Sequence, residues 1–450
     1  MKKGLLVVLL IFLSIWPAIW NGYPILYMDS GWYIGDAFWG YTPRNYALAY
    51  PYFIRAAAMI YPSLWMVVLL QAALMVYTLF QLLDALGFAR QFSKKFLISS
   101  LLFLFTPLSW VVSHIMPDVF TAILACGAAV MLLSPLERSI NRLFLFCLTV
   151  YACACHDSHI VLIAATIMAL IIISFIRRSS AASLKCLILP AACLCFAALL
   201  VFGLNFKRTG NFYLGQSGSV YLANRLIEDG ILQKLLSEQC EKEYYALCPY
   251  QDKLPQERGA FLWEPETSPL YKIGGWEKSD KLLAHMIIDS IKLYPIEHLF
   301  FVFQHTRDQL LSFHITNFIF QFSGDDPLIG QIQDFYPQEV RKFFSSRQQK
   351  GELQSEFLAA LHTVVAFVMF FFLLYKLGRL RGIEMGKKIS LFSNYILTLV
   401  LLNAFISGIF SHVEDRYQSR LIWLLALAAL VIRNNKDEGN GNFSLISSNY

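Results

Sequence analysis

Apolar windows of roughly 17–25 residues recur along this chain, each long enough to carry a helix across a hydrocarbon layer of about 30 Å. They lie at 4–22, 63–84, 96–113, 117–133, 143–155, 158–176, 185–204, 357–377, 388–411 and 419–433, which predicts about ten spans. Lipid offers no partner for an open amide, so their backbones must be helical. A chain of 450 residues that is 57% hydrophobic and 15% charged has too little polar side chain to cover a soluble domain of that size. The fold class expected is an all-α polytopic membrane protein.

Charge placement orients it. Lys2 and Lys3 precede the first window and put the N-terminus in the cytoplasm. No small-x-small cleavage site follows, only "WPAIWNGYP", so the first window is expected to be an uncleaved anchor. Alternation then places 85–95, 134–142, 177–184, 378–387 and 434–450 inside. Those loops hold Arg90, Lys94 and Lys95; Arg138 and Arg142; Arg177 and Arg178; Arg379, Arg381 and Lys387; and Lys436, with Arg433 at the edge of the last. The net charge of +6 follows from this topology and calls for no nucleic-acid partner.

The same alternation leaves two long segments outside. Segment 23–62 is crowded with Tyr, Trp and Phe, residues that settle at the lipid–water boundary, and 45–60 suits a short helix lying in that boundary. Segment 205–356 is long enough to be a mainly helical domain inserted before the last three spans. Helices are expected across "FYLGQSGSVYLANRLIEDGILQKLL", "DKLLAHMIIDSIKLYP" and "IEHLFFVFQHTRDQLLSFHI"; in the last, Arg307 and Asp308 argue for docking on the membrane rather than crossing it. The organisation is thus 1–204, 205–356 and 357–433, followed by a disordered tail at 434–450. Seven of the nine cysteines sit in or beside apolar windows, whereas Cys240 and Cys248 share the outer segment, where a local disulfide suits an oxidising compartment.

Four short polar clusters from sequence-distant helices end at the outer level: "YMDSGWY", "SHIMPD", "CHDSH" and "HVEDRYQSR". Ionisable residues at such depth are costly enough to mark function. Asp29 has the chemistry of a general base or a ligand for a divalent cation, and Asp29-Ser30 equally suits a helix N-cap. Asp118, after Pro117, fits the positive end of a helix dipole. His156, Asp157 and His159 are metal or proton-transfer types, although Asp157 also suits a cap. Arg416 and Arg420, four apart, share a helix face and can reach one anion, with Tyr417 beside them. A salt-bridged loop explains the mixed signs of that cluster, but not an arginine inside an apolar window.

In this order of features the chain resembles the C-type (GT-C) membrane glycosyltransferases, the group that includes the protein O-mannosyltransferases and the lipid A aminoarabinose transferase. Asp29 in "YMDSGWY" matches their acidic residue in an aromatic first outer loop, 34–62 their boundary helices, Pro117-Asp118 a Pro-Asp at the start of an outward-facing span, and Arg416-Tyr417 a late Arg-Tyr pair. The resemblance covers 1–204 and 357–433. It departs in having a single first-loop acid, Asp29 before Ser30, and in carrying its outer domain before the last three spans. It implies a bacterial inner-membrane enzyme that moves a sugar from a polyprenyl-phosphate donor to a glycan, lipid or protein acceptor outside the cytoplasm. Arg416 and Arg420 would then hold the leaving phosphate, Asp29 would act as the base, and Asp118, His156, Asp157 and Tyr417 would bind substrate. The rival readings are an O-antigen polymerase or ligase and a lipid flippase or transporter; charges gathered at one end of the spans, without an internal repeat, favour a one-sided active site over a conduit.

Overall fold

A computed structural model describes residues 2–40, 47–134, 139–176, 185–380 and 387–432. The readings made for Arg138, Arg177, Arg178, Arg381, Arg433, Lys436 and the tail 434–450 lie outside these residues. Regular structure within them is helical, apart from one isolated bridge between Ile25 and His114.

The first window folds as α1 (Lys2–Ser14) and α2 (Trp16–Asn21), with Pro17 in the first turn of the second piece, a position where its missing amide costs nothing. The aromatic loop supplies α3 (Ser30–Trp39) and α4 (Ala49–Ile60), ahead of α5 (Leu64–Leu83). Pro107 divides the next window into α6 (Phe92–Phe105) and α7 (Leu108–Ser113). Then come α8 (Asp118–Leu133), α9 (Ile140–Ala154), α10 (Asp157–Ile176) and α11 (Ile188–Thr209). Among the described residues, five helical stretches are long and apolar enough to cross a membrane: Leu64–Phe88, Asp157–Ile176, Lys185–Thr209, Glu356–Arg379 and Lys388–Phe410. Helices α8 and α9 are shorter, at 16 and 15 residues; a 16-residue helix reaches about 24 Å.

Segment 205–356 does not share one core. It begins with α12 (Gly218–Glu228) and α13 (Ile231–Gln239), where one continuous helix was expected. Gly230 stands between them at φ 76°, the left-handed conformation that a glycine adopts at little cost and that ends a helix. With α14 (Ala260–Trp263), α15 (Pro269–Lys272) and α16 (Gly275–Leu293), these helices bury a cluster of their own running from Val220 to Tyr294. Cys240 and Cys248 are disulfide-bonded at its edge. Helix α17 (Pro295–Leu311) packs along α22 (Lys387–Phe410).

The rest of the segment, with α18 (Pro327–Phe335), α19 (Val340–Phe344) and α20 (Arg347–Lys350), joins the core of the helical bundle instead. Two buried polar side chains strap it there. Glu339 accepts from the Tyr23 hydroxyl at 2.8 Å, from the Ser63 hydroxyl and from the Leu64 amide at 3.3 Å. Gln348 exchanges hydrogen bonds with both backbone groups of Leu26, at 3.2 and 2.7 Å. The last elements are α21 (Glu356–Leu380), α22 and α23 (Asp415–Val431). Helix α8 lies at the centre, against α5, α9, α22 and α23, with every residue buried.

Candidate functional site

The site forms where α8 and α23 begin. Backbone hydrogen bonds bring two of the four clusters together there: the Ile25 amide donates to the Ser113 carbonyl, and the Ile115 amide to the Ile25 carbonyl, both at 3.0 Å. Gln71, buried on α5, donates to the carbonyls of Val112 and His114 at 3.0 and 2.9 Å. The Ser30 hydroxyl donates to the Ile115 carbonyl at 2.9 Å. Asp29 therefore stands beside Asp118. It precedes α3 in the cap position, yet its side chain makes no cap bond.

The Asp29 carboxylate instead lies 3.1 Å from Arg416, whose other terminal nitrogen is 3.7 Å from Asp118. Asp118 is also paired with Arg420 at 3.3 Å. Arg420, with 1% of its side chain exposed, donates further to the Asn403 side chain at 3.0 Å. Asn403 in turn donates to the Tyr417 carbonyl and the Gln418 side chain at 2.7 and 2.8 Å. The Arg416 guanidinium lies over the Tyr27 and Tyr417 rings, 4.6 and 4.7 Å from their centres, a geometry in which ring quadrupoles favour a cation. Burial raises the Tyr27 phenol above its ordinary range, with Arg416 opposing.

Two cations and two carboxylates balance, which is what allows charge to sit at this depth. The donor count does not balance. The Nε of Arg416 and that of Arg420 are buried without a hydrogen-bond partner, an expensive state for a charged donor. A cleft of about 260 Å³ opens beside Arg416, lined also by Tyr27, Val111, His114, Met116 and Asp118. The arrangement can take an anion, with unspent guanidinium donors and Asp29 and Asp118 fixing the orientation.

Asp29, Asp118, Arg416, Tyr417 and Arg420 thus meet in one network. "CHDSH" takes a different place. The buried His159 donates from Nδ1 to the Ala152 carbonyl at 2.7 Å and shares a hydrogen bond with the Thr121 hydroxyl at 2.6 Å, which makes it a tie between helices. His156 accepts from the Ser158 amide and hydroxyl at 3.2 and 2.9 Å. Asp157 lines a separate cleft of about 300 Å³. Among the described residues, the ligand atoms that converge as for a metal ion belong to Glu243, His285 and Asp289 on the 220–294 cluster, not to Asp29 or "CHDSH".

The loop leading into Arg416 is gripped residue by residue from segment 205–356. Glu228 and Asn224 contact the His412 ring at 3.3 Å each. Arg258 donates to the Val413 carbonyl at 2.8 Å and pairs with Glu414. Gln309 bonds both the amide and the carbonyl of Glu414 at 3.0 and 2.7 Å. Asp415 accepts the His314 amide at 2.7 Å and the Asn317 side chain at 2.5 Å. Burial opposes ionisation of Glu228, but His412, the Gly259 amide and Asn224 outweigh it and hold the carboxyl at about 2.

Sequence reasoning missed Tyr27, Asn403 and this grip. Asn403 carried a legible signal, a lone amide inside "LLNAFISGIF", since a polar residue in an apolar span marks an interhelical bond. The partners of Arg258 and Gln309 carried none. Comparison with protein-family models, curated proteins and solved structures gives no match to this chain.

Proposed function

We propose that the chain is a membrane glycosyltransferase that moves a sugar from a polyprenyl-phosphate donor to an acceptor outside the cytoplasm. The observation that carries the reading is the pair of buried guanidiniums, each with an unspent Nε donor and a carboxylate partner, with Arg416 lining a cleft. Glycosyl transfer from such a donor releases a phosphate, and a phosphate leaving group needs preorganised positive charge more than it needs a proton. Arg416 and Arg420 supply that charge. Asp29, paired with Arg416 at 3.1 Å, orients the guanidinium towards the leaving phosphate.

The ten-span topology belongs to the same reading. Lys2 and Lys3 hold the N-terminus in the cytoplasm of a bacterial inner membrane, and the mouth of α23 then faces the periplasm, where a lipid-borne sugar replaces nucleotide sugars. The test is mass spectrometry of envelope lipids and glycans from a deletion strain complemented with wild type or Arg416→Ala. The expectation is one missing sugar mass in the deletion strain, restored by wild type, with product lowered about 100–1,000-fold by the variant. Loss of chain length instead of a single decoration points to a polymerase, and full activity of Arg416→Ala refutes the reading.

A further inference from the structure

We propose that the second cleft binds the hydroxyl-bearing headgroup of a membrane lipid, and that Asp157 is the base that deprotonates it. This rests on the transferase reading and assigns its acceptor. The cleft, about 300 Å³, is walled by Leu48 and by Val201 and Leu204 of α11, with Asp157, Asn205 and Tyr213 as its polar lining. Val201 and Leu204 lie in Lys185–Thr209, one of the stretches apolar enough to cross a membrane. An amphipathic ligand fits such walls, its tail along α11 and its hydroxyls at Asp157.

Asp157 differs from the other two carboxylates. Asp29 and Asp118 are spoken for by arginines; Asp157 has neither an ion pair nor a hydrogen bond among the described residues and faces the cleft. The Asp157 carboxylate therefore meets the cleft with no cation beside it. It also repels phosphate, so the clefts sort their ligands by charge: the anion to the arginines, a neutral or amino-bearing polyol to Asp157.

The step balances with these groups alone. The acceptor oxygen gives its proton to Asp157 and bonds to the anomeric carbon. The bond from that carbon to the donor phosphate oxygen breaks, and the electron pair stays on the phosphate, beside Arg416 and Arg420. Asp157 then returns its proton to water.

Full-length protein in nanodiscs tests this in two ways. Carbodiimide with glycine ethyl ester, read by peptide mass mapping, is expected to modify Asp157 and spare Asp118; an unmodified Asp157 overturns the proposal. Asp157→Asn and Gly215→Val are then compared with Arg416→Ala. At Gly215 the nearest atoms to an added Cβ are those of Asp157, at 3.8 Å, so valine narrows the cleft without backbone strain. Both cleft variants are expected to lower product at least 100-fold while polyprenyl-phosphate lipid still co-purifies in native mass spectra; Arg416→Ala loses product and lipid. Full product formation by Asp157→Asn, with Arg416→Ala inactive, sinks the acceptor cleft alone, whereas an active Arg416→Ala sinks the transferase reading. A missing sugar found on a peptide rather than a lipid also overturns the proposal.

Discussion

Helices α8 and α21 are both dominated by apolar residues, yet they inhabit different surroundings. Every residue of α8 is buried by other helices. Helix α21 turns Phe357, Val364, Phe371 and Tyr375 outward, each more than half exposed. The difference lies in side-chain size. "DVFTAILACGAAVMLL" is rich in Ala, Gly, Cys and Thr, which let neighbouring backbones approach, while the phenylalanines of α21 cover area against lipid, where helices gain nothing from hiding apolar surface. Hydropathy finds both helices; size separates the one that organises the protein from the one that borders it.

The contrast can be broken most forcefully at the head of α8. Asp118→Ala leaves Arg420 buried with only the Asn403 amide as a partner, and is expected to cost about 3–5 kcal/mol, read as a lowered melting transition in detergent; unchanged melting would show that water reaches the arginines. Within α8, Gly127→Val puts a Cβ 2.1 Å from the Thr149 hydroxyl on α9. Overpacking of that kind costs roughly 1–3 kcal/mol, seen in the same melts.

A smaller effect separates the bundle from the domain docked on it. Glu228 is held at about 2, below its ordinary 4.5, so its contribution is present above pH 4.5 and is lost as pH falls towards 2. Hydrogen exchange at 411–416 should quicken over that window, and Glu228→Gln should abolish the dependence. At the lipid-facing extreme, Phe371→Leu should shift stability by no more than about 0.5 kcal/mol; a large loss would mean that α21 is covered by a partner.

Much of this was legible in the residues. Windows of apolar length marked the helices, and alternation from Lys2 and Lys3 sent Asp29, Asp118 and Arg416 to one end, where the structure joins them. What stayed illegible depends on pairing at long range. Nothing local to Glu339 says that it will meet Tyr23, 316 positions away, or that 313–353 will leave its neighbours for the bundle core. Gly230 was readable as a break and was overlooked within a stretch of good helix periodicity. Asp29 read equally well as cap or base, because its type permits both; its side chain makes no cap bond and pairs with Arg416.

The grip on residues 412–415 ties the arginine site to a body with a core of its own. Because His412, Val413 and Glu414 are held by Glu228, Asn224 and Arg258 of that body, any rocking of it reaches the turn that carries the guanidinium. Antibodies or small proteins that seize the 220–294 cluster are therefore expected to disturb the arginine site without touching it.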